Sequence, residues 1–157
     1  VPTILVAQAI GRWGNFFNRE AFGGYTDNLF AMQIKMTDVL QTNLNKSLAK
    51  DVVMVDGIKY IQVHPTFLYE SLWNIMVLLV ILLFTKKKRY DGHLFLLYIL
   101  GYGCGRFWIE GLRTDQLLLF NTGIPVSQAL SAIMVIVSAI ILITNEVRFR
   151  KKKNIKA

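Results

Sequence analysis

Three long apolar blocks constrain the fold of this chain more than any other feature of its sequence. They cover residues 66–85, 93–112 and 125–145, and residues 1–10 (VPTILVAQAI) have the composition of a fourth block that ends there. A helix needs about 20 residues to cross a bilayer, whereas a helix that faces water keeps a polar side. We therefore predict an all-α polytopic membrane protein, with about three to four transmembrane helices, rather than a soluble helical core.

Basic residues are concentrated beside two of these blocks. One cluster is the KKKR run at 86–89, and the other lies between 148 and 156. Together they hold 10 of the 18 basic residues, and they account for the net charge of +8 once Asp91 and Glu146 are included. Short loops rich in Lys and Arg remain in the cytoplasm, so we predict that the basic tail 146–157 is cytoplasmic. A nucleic-acid partner is not expected, because such binders place their charge on a polar folded face.

A polar stretch, residues 25–63, separates the first block from the second. We predict that it forms a small extra-membrane head. Its segment Val52–Val63 reads as a β-hairpin, because β-branched runs flank Asp56-Gly57, a favoured two-residue turn. The segment 37–50 is compatible with an amphipathic surface helix.

The strongest local motif is GRWGNFFNREAFGG at 11–24, which we predict to be a loop. It combines glycines with Arg12, Asn15, Asn18 and Glu20. An arginine fork matches phosphate oxygens in a bidentate manner, and amides both donate and accept hydrogen bonds. The motif therefore favours a site for an anionic ligand; the alternative is a membrane-exit loop with a snorkelling arginine.

A second motif, HPTFLYE, occupies residues 64–70 at the start of a membrane block. His64 is a candidate base near neutral pH, and it alternatively caps the helix at the surface. Glu70 lies several residues into the block, where a lone carboxylate is costly and needs a partner. It is therefore either a functional group or the structural partner of an arginine.

A third motif, GRFWIEGLR at 105–113, places Arg106, Glu110 and Arg113 on one helical face. Two arginines against one carboxylate leave net positive charge for an anion; the alternative is a salt bridge that joins helices. The charge-based topology brings this motif and His64 to the same outer membrane face. We expect neither a metal nor a cofactor, since zinc-ligand spacing is missing from the sequence.

Taken together, the motifs predict an arginine-rich, amide-lined site for an anionic lipid headgroup. Arginine also stabilises charge that develops on a phosphate leaving group, and a histidine or carboxylate can activate a nucleophile. Three classes of protein fit these features: an enzyme that transfers a group off a phospholipid, an anionic-lipid transporter or flippase that makes no bond, and a structural membrane subunit.

The three motifs also resemble those of the prolipoprotein diacylglyceryl transferase family. Residues 11–23 are similar to its G-R-x-G-N-F-x-N-x-E-x-x-G signature. Residues 64–70 are similar to its H-P-x-x-L-Y-E segment, and 106–113 to its R-F-x-x-E-x-x-R element. The motifs occur in the family's order and span about two thirds of the chain.

The resemblance implies a multi-pass enzyme of the bacterial inner membrane. Such an enzyme transfers the diacylglyceryl group of phosphatidylglycerol to the lipobox cysteine thiol of a prolipoprotein and releases glycerol phosphate. By position, Arg12 and Arg106 would bind the lipid, with Glu110 orienting Arg106. The candidate catalytic residues are Asn15, Glu20, His64, Glu70, Arg106 and Glu110. The candidate residues for binding phosphatidylglycerol are Arg12, Asn15, Asn18, Gly23, Tyr69, Arg106 and Arg113.

Two features of the family have no counterpart in this sequence. The family carries a histidine in an upstream H-G-G type segment and an upstream tyrosine, both thought important for catalysis. We therefore leave the catalytic base unassigned and expect it upstream of these 157 residues. We also expect the 157-residue chain alone to be inactive.

Overall fold

The computed structural model describes residues 1–39, 48, 52–114, 116–119 and 123–155. The described chain is mostly helical and carries a small antiparallel sheet. Its helices are α1 (Pro2–Asn18), α2 (Thr66–Thr85), α3 (His93–Glu110) and α4 (Val126–Ile155). Its strands are β1 (Met32–Lys35), β2 (Val52–Val55) and β3 (Ile58–Val63), with a short 3-10 turn at Met36–Asp38. The predicted combination of long helices with a small β-containing head is thus confirmed.

Two of these helices, α2 and α4, are long and apolar enough to cross a bilayer, judged by length and composition. Only 33% of the apolar window of α2 and 11% of that of α4 are buried inside the chain. A core helix of a soluble protein would bury most of such a window, so these exposed apolar faces favour contact with lipid. Among the described helices, α1 and α3 do not pass the same test.

Helix α1 continues through the motif that the sequence predicted as a loop. It ends at Asn18, where Arg19 adopts a left-handed conformation with φ of 53°. The predicted loop 11–24 is therefore wrong for residues 11–18. Each helical glycine costs about 1 kcal/mol, but the rings of Trp13 and Phe16 pack on Phe67 of α2, with centroids 5.3 and 4.8 Å apart. This packing offsets the glycine cost.

Helix α4 likewise extends past the expected boundary. The basic tail predicted from residue 146 is helical as far as Ile155, because lysine and arginine are good helix formers. Glu146 also accepts a hydrogen bond from Arg150 Nε at 2.9 Å, one helical turn further on. The same carboxylate contacts Arg89 in the α2–α3 loop, which holds α4 against that loop.

The predicted hairpin Val52–Val63 is confirmed as β2 and β3. Asp56 and Gly57 form its turn with φ of 50° and 77°, which is the left-handed pair that a two-residue hairpin needs. The sequence did not predict β1, which pairs antiparallel with β3 and gives the order β1-β3-β2. The head core is formed by Phe22, Ile34, Val39, Leu48, Ile61 and Val63. Most of the surface helix expected over 37–50 lies outside the described residues.

The helices pack in chain order, α1 on α2, α2 on α3 and α3 on α4. Glycines of α3 allow the close approach. A Cβ on Gly101 would meet the side chain of Val77 of α2 at 2.9 Å, and one on Gly103 would meet Val135 of α4 at the same distance. This antiparallel packing brings the start of α2 beside the end of α3, where the second and third motifs lie.

Candidate functional site

A chain of alternating charges crosses three helices at this end of the bundle. Arg12 of α1 places its Nε 2.5 Å from Oε2 of Glu70. The other oxygen of Glu70 accepts a hydrogen bond from Nη1 of Arg106 at 3.0 Å. One carboxylate of α2 thereby connects an arginine of the first motif with an arginine of the third.

The chain continues along the end of α3. Nη2 of Arg106 lies 2.8 Å from Oε2 of Glu110, and Nη1 of Arg113 lies 3.7 Å from the same oxygen. The contacts are ionic rather than aligned hydrogen bonds, because this oxygen is buried without a hydrogen-bond partner among the described residues. Each carboxylate is therefore placed between two guanidinium groups.

We refer to these five residues, Arg12, Glu70, Arg106, Glu110 and Arg113, as the charge network. Both carboxylate side chains are less than a tenth exposed, at 8% for Glu70 and 4% for Glu110. The arginines are more accessible, with 14 to 22% of their side chains exposed. The network can therefore receive an anion through guanidinium groups that retain access.

His64 and Tyr69 form a pair beside the charge network. Nδ1 of His64 lies 3.2 Å from the hydroxyl oxygen of Tyr69. The Tyr69 ring stacks on Trp108 of α3, with centroids 6.2 Å apart. The second motif thus contributes Glu70 to the network, while His64, just before α2, and Tyr69, next to Glu70 in sequence, contact each other.

Gly23 lies where the head, α2 and the end of α3 meet. Its N–H donates to the carbonyl oxygen of His64 at 3.0 Å, and it forms a β-bridge with Arg113. A Cβ at this position would lie 2.7 Å from Cβ of His64 and 2.9 Å from the carbonyl oxygen of Leu112. Close backbone approach therefore requires glycine at this position.

The remaining members of the first motif occupy the end of α1. Asn15 follows Arg12 by three residues and is half-buried. Nδ2 of Asn18 donates to Oε1 of Glu20 at 3.1 Å in an exposed pair. Within the described parts of the chain, the structure does not bring Asn15, Asn18 or Glu20 into the charge network.

Two polar residues that sequence reasoning missed extend the polar interior. Asn74, 3% exposed, lies one turn after Glu70, and together with Arg106 these residues line a small cavity. Gln8, one turn before Arg12, donates from Nε2 to the Tyr98 hydroxyl at 3.0 Å, and its Oε1 is buried without a partner in the described chain. A sequence pattern could have identified both residues: each lies four residues from a charged residue inside an apolar block, and so on the same helical face.

The described residues contain no group of three or more His, Cys, Asp or Glu side chains that could hold a metal ion. The chemistry that these side chains can perform is anion binding. Guanidinium groups from α1 and α3 converge on Glu70, and such groups bind phosphate through paired N–H donors.

Fold and site together define a class: a helical protein with lipid-compatible apolar faces and an arginine site paired with buried carboxylates at one end of its bundle. The sequence profile of the family described as prolipoprotein diacylglyceryl transferase matches residues 1–144. The chain belongs to that family.

Individual relatives agree with this assignment. A phosphatidylglycerol–prolipoprotein diacylglyceryl transferase of Clostridium novyi (strain NT) is 41% identical over 147 residues, which are 94% of this chain and 51% of that protein. The enzyme of the same name from Staphylococcus haemolyticus (strain JCSC1435) is 38% identical over 149 residues, 95% of this chain and 48% of the relative. The chain spans about half the length of the curated relatives it matches.

Proposed function

We propose that the full-length protein containing this chain transfers the diacylglyceryl group of phosphatidylglycerol to the lipobox cysteine thiol of prolipoproteins and releases glycerol phosphate. The observation that carries the proposal is the charge network. It joins the three motifs that resemble the family, and it holds partly exposed guanidinium groups next to apolar helix faces. That combination suits a ligand with a phosphate and two acyl chains.

In this proposal Arg12 and Arg106 hold the lipid phosphate. They come from different helices, and the two oxygens of Glu70 hold them on either side of one carboxylate. Glu110 positions Arg106 in turn and brings Arg113 close. Glu70 and Glu110 are therefore positioning residues, whereas the arginines touch the substrate.

The reaction forms one bond and breaks one. The sulfur of the acceptor thiolate attacks the glycerol carbon that carries the phosphate ester, because the thiolate is the nucleophilic form of cysteine. The carbon–oxygen bond breaks, and glycerol phosphate leaves with the electron pair. The guanidinium groups stabilise the negative charge that develops on the leaving phosphate.

The thiol proton must pass to a base before or during this attack. On this chain the candidate is His64, whose imidazole contacts the Tyr69 hydroxyl at 3.2 Å. Glu70 is less suited, because both of its oxygens are engaged by guanidinium groups. The resemblance described above also directs attention to an upstream histidine.

The membrane arrangement is part of the proposal. We infer a multi-pass protein of the bacterial inner membrane in which α2, α3 and α4 cross the bilayer in alternating directions, with the KKKR loop and the basic end of α4 in the cytoplasm. The charge network then lies toward the outer face, where a secreted prolipoprotein presents its cysteine. The apolar character of α2 and α4 supports this arrangement, as does the concentration of lysine and arginine at their cytoplasmic ends.

The test uses the full-length protein, phosphatidylglycerol vesicles and a lipobox peptide. We expect Arg12→Ala to lower the rate of thioether formation by roughly 100-fold or more, since removal of one group that stabilises developing charge has an effect of this size. Arg19→Ala is the matched control, because Arg19 lies just past the end of α1, seven residues after Arg12, and forms a solvent-accessible ion pair with Asp38.

Mass spectrometry of peptide and lipid distinguishes the outcomes. Peptide gaining a diacylglyceryl group, together with free glycerol phosphate, supports the proposal. Lipid that crosses the bilayer chemically intact indicates a transporter or flippase instead. Wild-type turnover by Arg12→Ala overturns the assignment of Arg12 as a phosphate ligand.

A further inference from the structure

A second layer of polar side chains lies one helical turn from the charge network, toward the middle of the helix bundle. Helices α1, α2 and α3 each supply one uncharged polar residue, four positions from the network residue of the same helix: Gln8, Asn74 and Tyr102. Asn74 is the most deeply buried of the three, with 3% of its surface exposed. An amide at this depth in an apolar helix is costly unless it has a hydrogen-bond partner.

Asn74 lines a small cavity together with two members of the charge network. The cavity lies between α2 and α3, and Glu70 and Arg106 form part of its wall. Its volume is about 10 Å³, which is close to the smallest space that holds one water molecule. The space therefore suits a single water rather than an organic ligand.

Trp73 also lines this cavity and fixes the distance between the two helices there. Its Nε1 donates to the carbonyl oxygen of Gly101 at 2.8 Å. A Cβ on Gly105 would collide with the Trp73 ring, so the ring packs directly on the backbone of α3. The indole N–H is thus already engaged by α3 and is not a partner for Asn74.

The polar groups around the cavity match what one water needs. The Asn74 amide makes no side-chain hydrogen bond within the described chain, and it offers both donors and an acceptor. Arg106 places Nη1 on Glu70 and Nη2 on Glu110, and a guanidinium group has five N–H donors, so it can also donate to a water. A buried water has about three protein partners, and Asn74, Arg106 and Glu70 supply that number.

We propose that this cavity binds one water molecule that connects Asn74 with Arg106 and Glu70, and that Asn74 is thereby a positioning residue for the guanidinium group of Arg106. Glu110 holds this guanidinium from the end of α3, and the water supports it from the middle of the bundle. The part of Asn74 in lipid binding rests on the proposed function, whereas the water site itself does not.

The first measurement is a crystal structure of the full-length protein, grown from a lipid phase and at a resolution that resolves ordered water. We expect one water peak within about 3 Å of both Asn74 and Arg106. A cavity without that peak, or an Asn74 amide bonded directly to Glu70 or Arg106, would overturn the proposal. So would a peak that persists in Asn74→Val, because Asn74 would then not hold the water.

Two substitutions of equal shape separate positioning from packing. Asn74→Thr keeps a hydroxyl that can bond the water, whereas Asn74→Val replaces that hydroxyl by a methyl group. We expect Asn74→Val to raise the KM for phosphatidylglycerol roughly tenfold and Asn74→Thr to stay within about threefold of wild type, since a hydrogen bond that supports a charged group has an effect of this size. Loss of folded enzyme alone lowers the rate without changing KM, so equal KM values for the two variants would refute the positioning role.

Ser138→Ala is the control for removing a buried hydroxyl from a membrane helix. Ser138 is 2% exposed, and its hydroxyl donates to backbone carbonyl groups of α4, so we expect an unchanged KM. The two proposals fail separately. A wild-type protein that forms no thioether contradicts the proposed function, whereas the water peak and its loss in Asn74→Val are read without turnover.

Discussion

At the scale of single residues, Glu70 determines how the arginines are arranged. Its carboxylate receives Arg12 through one oxygen and Arg106 through the other, and only 8% of its side chain is exposed. A buried carboxylate with two charged partners is stable only as a complete set, because removing one member leaves buried charge uncompensated. Residues of three sequence motifs therefore depend on one side chain.

Replacement of this carboxylate is the first test at this scale. We expect Glu70→Gln to lower the free energy of unfolding by about 3–5 kcal/mol, as Arg12 and Arg106 lose their shared counter-charge. The measurement is thermal unfolding of the full-length protein in detergent. Asp38→Asn is the control, since it breaks an exposed pair with Arg19 and should change stability by at most about 1 kcal/mol.

Equal effects of the two substitutions would contradict the central role of Glu70. An unaltered melting temperature for both would mean that the network adds nothing to stability. A drop in activity without a drop in stability would instead identify Glu70 as a group that acts directly on the substrate.

Sequence alone predicted that Arg106, Glu110 and Arg113 share a helical face and that Glu70 needs a charged partner, but not which residues pair with Glu70. The spacing of Arg106, Glu110 and Arg113 indicated a shared helical face, and the cost of a carboxylate in an apolar block indicated a partner for Glu70. Which arginine serves as that partner depends on helix packing over 36 or more residues of sequence separation, and local patterns carry no such information. The hydrogen bond of Gln8 to Tyr98 and the place of Asn74 in the small cavity beside Glu70 were missed for the same reason.

At the scale of elements, the main surprise is α1. Its glycines predicted a loop over 11–24, yet the helix continues to Asn18. Helical stability in proteins comes mainly from packing, and the aromatic contacts of α1 with Phe67 are long-range. Strand β1 was missed similarly, since its four residues are recognisable only through pairing with β3. The bounds of α2 and the hairpin were predictable, because proline, the KKKR run and Asp56-Gly57 mark them locally.

Substitution of Gly23 tests how the head is joined to α2 and α3. We expect Gly23→Ala to lower the free energy of unfolding by about 1–3 kcal/mol, because its Cβ would meet Cβ of His64 and the carbonyl of Leu112, neither of which can rotate away. Gly24→Ala is the matched control, since nothing lies within 4 Å of a Cβ there. Denaturant titration of both variants of the full-length protein provides the comparison.

A stable Gly23→Ala variant that has lost activity would give a different answer. It would mean that the glycine admits a ligand rather than the neighbouring backbone. Equal destabilisation by Gly23→Ala and Gly24→Ala would contradict the prediction that close packing at Gly23 joins the head to the helices.

At the scale of the whole molecule, charge separates the two ends of the helix bundle. One end carries the nearly balanced charge network, and the other carries the two basic clusters that account for the net charge of +8. Positive loops remain on the cytoplasmic side, so this distribution predicts the orientation of the protein. The proposed function depends on that orientation, because it needs the charge network at the outer face.

Reporter fusions after residue 157 of the full-length protein test the orientation. Green fluorescent protein fused there should fluoresce, and alkaline phosphatase fused there should be inactive, because the first folds in the cytoplasm and the second in the periplasm. The same reporters inserted at the hairpin turn Asp56-Gly57 should give the reverse pattern. An active phosphatase at the C-terminus would contradict the proposed arrangement.

Glu70 also has a consequence for the release of product. In the proposed reaction, an arriving phosphate shares the guanidinium groups of Arg12 and Arg106 with this carboxylate instead of filling an empty cradle. When glycerol phosphate departs in that reaction, the carboxylate is still in place, so the guanidinium groups are not left uncompensated beside hydrocarbon between turnovers. Because Glu70 competes for the same guanidinium groups, it weakens the binding of substrate and product alike. The arginines can therefore release the doubly charged leaving group that they stabilise.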